Sequence, residues 1–191
     1  MNRLLQVLVA GLLVQGVSRA STSVPEQRLK TAVSEVLTAA KASTNPGGLA
    51  GKLQPILEQY LSFEAMTRRA VGPGWREFSS SQKRDAKKLF TTLIIRTYSS
   101  KFTPGQDPQI LFNKAATPAP GRVEIPTTIL YQGSKYGVTY RMEESEGWKI
   151  TDVVIEGVSL VANYRTQFDG EFKKGGAKAV VDSLTQAVAQ K

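Results

Sequence analysis

The chain has 191 residues, with 25 Lys and Arg against 16 Asp and Glu for a formal charge of +9, and it contains neither cysteine nor histidine. Zinc, copper and haem sites therefore lack their usual ligands, Ser-His-Asp and Cys-His catalysis lack an imidazole, and no disulfide can form. Carboxylate catalysis and Ser-Lys chemistry remain open, and no metal or cofactor is expected.

The first twenty residues read as an export signal. Arg3 supplies a positive start, Leu4 to Val14 is almost wholly apolar, and Val17-Ser18-Arg19-Ala20 offers small residues to a signal peptidase. The apolar run falls short of the about 20 residues that a membrane span needs; an uncleaved N-terminal anchor is the alternative. Lipidation of the lipoprotein kind needs a cysteine. Cleavage after Ala20 leaves residues 21–191 as one domain, long enough for a substantial core. An exported basic domain is drawn to anionic membrane surfaces or acidic partner faces. Nucleic acid is the other reading of such a charge, and export sets it aside.

Pro25 is expected to open a helix on which Leu29, Ala32, Val33, Val36 and Leu37 give an apolar face running towards Ala42. Pro46-Gly47-Gly48 breaks it. A short helix carrying Leu53, Ile56, Leu57 and Tyr60 follows, then another from Phe63 to Ala70 capped by Ser62. Gly72-Pro73-Gly74 ends that one, and Trp75 is expected to plug the core. Ser79-Ser80-Ser81-Gln82 has the form of a capping box. Behind it the longest helix should run to about Phe102, with Ala86, Leu89, Phe90, Leu93, Ile94, Thr97 and Tyr98 on one face. Lys83, Arg84, Lys87 and Lys88 crowd its first turns, where the helix dipole disfavours cations. They form either a solvated face or a docking patch for lipid headgroups or an acidic partner.

After a loop at Pro104–Pro108 the period changes from helical to two. Ile110 and Phe112 begin a strand of about eight residues. Val123, Ile125, Thr127, Ile129 and Tyr131 alternate in a second, and Tyr136, Val138, Tyr140 and Met142 in a third. Trp148 to Ile155 is the fourth, with Trp148, Ile150 and Val154 read on one face and Val153 and Ile155 on the other. Short links at Pro118-Ala119-Pro120-Gly121, Gly133-Ser134 and Glu144–Gly147 suit an antiparallel meander. Gly157 turns the chain sharply, Ser159 N-caps a helix from Leu160, and Val161, Tyr164, Phe168 and Phe172 recur on one stripe. The fourth strand and this helix read as a wall and a lid around an apolar interior. Lys173-Lys174-Gly175-Gly176 ends the lid, and a last helix packs through Val180, Val181, Leu184 and Val188. Filled core and ligand pocket share this pattern.

The stretch from Trp148 to Phe168, WKITDVVIEGVSLVANYRTQF, resembles the signature segment of the MlaC family of periplasmic phospholipid-binding proteins. Further similarity lies in Phe63, Met66, Gly72 and Trp75-Arg76, in Leu93–Tyr98, and in Tyr140-Arg141-Met142. The serines before Gln82 depart from the family's proline-bearing cap. The resemblance covers about Gln27 to the C-terminus. It implies an α+β fold, a helical group on a twisted four-stranded antiparallel sheet, enclosing a cavity for acyl chains. The implied lining is Leu93, Tyr98, Ile129, Tyr140, Met142, Val153, Ile155, Val158, Val161 and Tyr164. Ser159, Asn163 and Arg165 match the motif and are expected to fix the strand-to-helix turn; Lys83, Arg84, Lys87, Lys88 and Arg165 are expected to help docking. The implied partners are phospholipid, an inner-membrane ABC transporter with its MCE-domain component, and an outer-membrane lipoprotein complex. Hopanoid-associated relatives share the motif, which leaves the lipid class open. Rival readings are a carboxylate enzyme using Asp152 or Glu156 as base, and an adaptor that binds only protein.

Overall fold

A computed structural model describes residues 20–100 and 107–190. All but Ala20 of the expected export signal, the expected helix end at Phe102 and much of the Pro104–Pro108 loop lie outside the described residues. The element order is α1 (Ala20–Lys41), α2 (Pro46–Tyr60), α3 (Phe63–Val71), a 3-10 turn (Gly72–Glu77), α4 (Ser80–Ser99), β1 (Gln109–Phe112), β2 (Ala116–Ala119), β3 (Arg122–Tyr131), β4 (Ser134–Glu144), β5 (Trp148–Ile155), β6 (Val158–Ser159) and α5 (Leu160–Ala189). Among the described residues no helix is long and apolar enough to cross a membrane.

The helix starts follow local chemistry. Ser62 accepts from the Ala65 N–H at 3.3 Å, and Ser79 and Gln82 exchange both bonds of the capping box. Asn45 caps α2 through the Gly48 N–H at 2.7 Å. Helix α1 begins before Pro25, which sits inside it; proline lacks only one N–H there, a turn in from the end. At 22 residues α1 is longer than α4, which has 20.

The sheet has six strands rather than four, in the order β1-β3-β4-β5-β6, with β2 also paired to β3. The expected first strand is broken at Asn113–Ala115, so that β1 pairs with the far end of β3 and β2 with its start. The tight links close with a positive-φ residue followed by glycine: Gln132-Gly133, Glu146-Gly147 and Glu156-Gly157, the two left-handed positions that a primed hairpin turn requires. Glu156-Gly157 folds Val158-Ser159 back on β5 as the unexpected sixth strand.

Strand β5 carries a bulge that corrects the expected faces. Asp152 stands opposite Arg141, but Ile150 stands opposite Met142, so Thr151 is an extra residue. An inserted residue resets the two-residue alternation. Ile150, Val153 and Ile155 therefore share one face with Met142, Tyr140 and Val138, and Asp152 and Val154 take the other.

The expected lid is also corrected. The stripe of α5 packs on α3, α4 and the 3-10 turn, and only its start reaches the sheet. Phe90, fully buried, takes Tyr164 edge-on at 5.0 Å and Phe168 at 5.7 Å between ring centres. Trp75 is buried, 5.3 Å from Phe78, which stacks on Phe172. A Cβ at Gly74 would lie 2.7 Å from the Phe172 ring, so only glycine admits this approach. The backbone of α5 leaves helical angles at Gly175 and Gly176, where the lid helix was expected to stop. The cover over the apolar face of the sheet comes instead from α1 and the end of α2: Leu29, Ala32 and Tyr60 form one cluster with Val123, Ile125, Met142 and Ile150. An amphipathic stripe specifies that a face is buried, not what buries it.

Between α2 and α3 the chain passes along the edge of β5. Leu61 bridges Ile150 in parallel, and the Ser62 N–H donates to the Ile150 carbonyl at 2.8 Å. Beyond Ser62 the helices lie against the other face, where Arg69 of α3 meets Glu143 of β4.

Candidate lipid-binding site

The pairing register aligns a continuous apolar face: Ile110 and Phe112 on β1, Val123 to Tyr131 at alternate positions on β3, Met142 to Tyr136 on β4, and Ile150, Val153 and Ile155 on β5. Its two halves differ. Val123, Ile125, Met142 and Ile150 are buried beneath α1 and Tyr60. Towards the β3–β4 turn, Ile129, Tyr131, Val153 and Ile155 are half-buried, and Tyr136 is 42% exposed. Tyr140 lies between the halves, and burial pushes its phenol up to about 12, because a phenolate loses hydration there.

The ten expected lining residues fall into separate groups. Leu93 and Val161 are buried, and Tyr98 and Tyr164 half-buried, in the helical cluster with Phe90. Burial raises the phenols of Tyr98 and Tyr164 as well. Met142, Tyr140 and Val153 belong to the sheet cluster. Ile129 and Ile155 extend the same sheet face towards its open half. Val158 on β6 is 60% exposed.

Two clefts open where helices meet the sheet. The larger, about 600 Å³, brings Met142 and Val161 together with Arg69, Arg122, Arg141 and Arg165. The second, about 510 Å³, lies under Phe63, Arg68, Lys87 and Lys149. The charged lining comes from the sheet face opposite the apolar one. Glu143 pairs with Arg69 at 2.5 Å and Arg122 at 3.4 Å; Arg141 reaches Glu124 at 2.9 Å and Asp152 at 3.1 Å. Sequence reasoning passed over Arg69, Arg122 and Arg141. The signal was present, since Arg122/Glu124 and Arg141/Glu143 are charged pairs at the outward positions of alternating strands.

Asp152 is fully engaged. Its Oδ1 accepts from the Val153 and Val161 N–H groups at 2.9 and 3.1 Å, and its Oδ2 from the Ser159 hydroxyl at 2.6 Å and Arg141. Those four bonds use the acceptor sites of a carboxylate, and they hold a negative charge at the start of α5, where the dipole favours one. Ser159 completes the cap through the Ala162 N–H at 3.0 Å. Glu156 is exposed in its turn and accepts from the Gly137 N–H. Neither carboxylate is disposed as a free base.

Arg165 is half-buried against the end of α3, donating to the Arg69 carbonyl at 3.3 Å. Its Cζ lies 2.3 Å from where a Cβ would stand on Gly72, whose φ is +73°. Arg165 thus clamps the α3 terminus, and Ser159 fixes the turn into α5; Asn163 is exposed. On α4, Arg84 and Lys88 are exposed, Lys87 sits 3.6 Å from Glu64, and Lys83 lies 5.8 Å above the Trp75 ring.

Helices layered on a six-stranded antiparallel sheet with one apolar face, part of it incompletely covered, define an α+β protein. The family profile described as MlaC protein matches residues 27–186, and the chain belongs to the MlaC family. Among solved structures, a phospholipid-binding protein from Ralstonia solanacearum in complex with a phospholipid is 26% identical, with a TM-score of 0.80 over 86% of this chain and 96% of that one. A search of curated proteins found no match.

Proposed function

We propose that this chain is a periplasmic carrier that holds phospholipid acyl chains against the apolar face of its sheet and moves lipid between membranes without chemical turnover. The observation that carries the reading is the unequal cover of that face: apolar from β1 to β5, sealed by α1 at one end and half-buried around Ile129, Tyr140, Val153 and Ile155 at the other. Membership of the MlaC family and likeness to a solved phospholipid complex support it. The physics calls for such a carrier. Exposing an acyl chain to water costs about 0.8 kcal/mol per methylene, so ~14 of them cost on the order of 11 kcal/mol. Apolar side chains can replace that contact without any reactive group.

A carrier alone only equilibrates, so direction depends on partners that favour its loaded or empty form. The family resemblance supports an inner-membrane ABC transporter with an MCE-domain component and an outer-membrane lipoprotein complex in those roles. The α4 cations Lys83, Arg84, Lys87 and Lys88 are the docking patch in this reading. Charge reversal at all four should slow transfer from donor membranes, and unchanged transfer would remove them from it. The carrier itself is tested by mass spectrometry of gently purified protein. Stoichiometric phospholipid is expected; a hopanoid would redirect the assignment, and no lipid under any extraction would overturn it.

A further inference from the structure

Tyr140 stands at the border between the two halves of the apolar face. Its strand partners are Ile125 and Val153, and its ring packs against the cluster that Met142, Ile150 and Tyr60 form beneath α1. Its hydroxyl, however, makes no hydrogen bond among the described residues. The other hydroxyls of this region are engaged. Thr127 donates to the Val138 carbonyl at 2.9 Å, Tyr60 donates to Glu35 at 2.8 Å, and Tyr131 accepts from Gln132 at 3.4 Å. Tyr136 is exposed and has water to bond. Tyr140 is already half-buried, so a guest laid over the open half takes away the water that remains to it. A hydroxyl stranded in this way costs more than an ordinary hydrogen bond gains. Loading therefore favours a guest that brings an acceptor.

The surroundings say what kind of acceptor fits. Burial alone raises the Tyr140 phenol, with no contribution from a neighbouring charge. A phosphate beside it would lie in an apolar setting without a cation, which is costly. A carbonyl oxygen is neutral and asks for a donor only. A diacyl lipid carries that oxygen where each tail begins, whereas an ether-linked chain has no carbonyl there. We propose that the Tyr140 hydroxyl donates to an ester carbonyl oxygen of the carried lipid, and so selects acyl esters over ether-linked lipids; the assignment rests on the carrier reading and narrows its substrate class.

The test loads the full chain from vesicles of diester phosphatidylglycerol or of its diether analogue and times release into acceptor vesicles. The native chain should release the ester about tenfold more slowly, the difference expected when a buried donor is otherwise left unpaired. Tyr140→Phe keeps the ring among its apolar neighbours and should bring the two rates together. An isotope-labelled ester carbonyl should absorb at lower infrared frequency in the native complex than in the variant. Equal release of ester and ether from the native chain, with both bound, overturns the ester contact and leaves the carrier standing; that measurement needs no variant. A water carried in with the lipid would satisfy the phenol and give this result. An ester preference, or a lowered carbonyl band, that survives in Tyr140→Phe assigns the carbonyl to another donor and overturns the proposal too. Failure of the native chain to take up either lipid removes the carrier reading and the ester contact together.

Discussion

The helical layer and the sheet bury similar side chains to different ends. Phe90 meets the rings of Tyr164 and Phe168 edge to face, and Met66, Ala70, Val180 and Leu184 are buried to 1% exposure or less. On the sheet the same apolar density is sealed only as far as Tyr60 and α1 reach, and then runs on half-covered to Tyr136. Close packing gives the first region its rigidity. The second keeps apolar surface that its own side chains do not fully consume. A carrier needs both: a scaffold that does not deform and a face left for something else.

The contrast is sharpest under truncation. Phe90→Ala should destabilise by about 3–5 kcal/mol, as removal of a buried aromatic does, measured by urea unfolding. Ile129→Ala on the open half should cost under about 1 kcal/mol yet reduce retained lipid. Equal losses of stability would erase the distinction between the two regions. Asp152→Asn ranks next, at about 2–4 kcal/mol, because it weakens four bonds at the start of α5 and leaves Arg141 with one carboxylate. Lipid uptake by the refolded variant should persist, whereas abolished uptake with unchanged stability would put Asp152 in the site. Ser159→Ala removes the cap bond from the Ala162 N–H and the hydroxyl's bond to Asp152, and should cost about 1–2 kcal/mol. At neutral pH the smallest effect on stability is that of Tyr140, because it is confined to high pH. Tyr140 holds its proton to about 12 in the fold, against 10.0 for an ordinary phenol. The folded state then binds more protons than the unfolded one, so this contribution is intact below pH 10 and is lost as pH rises from there to 12. Phenolate absorbance should show Tyr140 titrating late together with Tyr60, Tyr98 and Tyr164, whose phenols burial also raises, and Tyr140→Phe should remove one of these late steps and flatten that part of the stability profile.

Much of this was legible because it is local. Ser62, Ser79 with Gln82, and Ser159 cap their helices through bonds spanning three residues, and a reader of the chain sees all the partners at once. Strands β3 and β4 announced themselves by alternation, and β5 by its density of aromatic and β-branched residues. What escaped depends on pairing at a distance. The extra residue at Thr151 appears only when β5 is set beside β4, and missing it exchanged the faces of Val153 and Ile155 relative to Ile150. The stripe Val161, Tyr164, Phe168 and Phe172 reads as a buried face, but nothing in its spacing says whether sheet or helices bury it. Strand β2 hid because Thr117-Pro118 weakens its pattern; proline is tolerated at an edge. The arginine cleft escaped for a related reason. Arg69 and Glu143 stand 74 residues apart, and outward charges on strands ordinarily signal solvent.

The run of Leu61 and Ser62 beside Ile150 has a consequence for how molecules meet. With β6 alongside Val154 and Ile155, it occupies the flank of β5, while among the described residues no strand borders the outer side of β1. Backbone groups on a bare flank recruit other chains. A sheet with two long bare flanks can polymerise, but here the far flank offers only the two residues of β6, so the edge at β1 can pair once and then stops. Concentrated protein should therefore form at most a dimer by strand addition, with fibre growth blocked by a chain crossing rather than by charge.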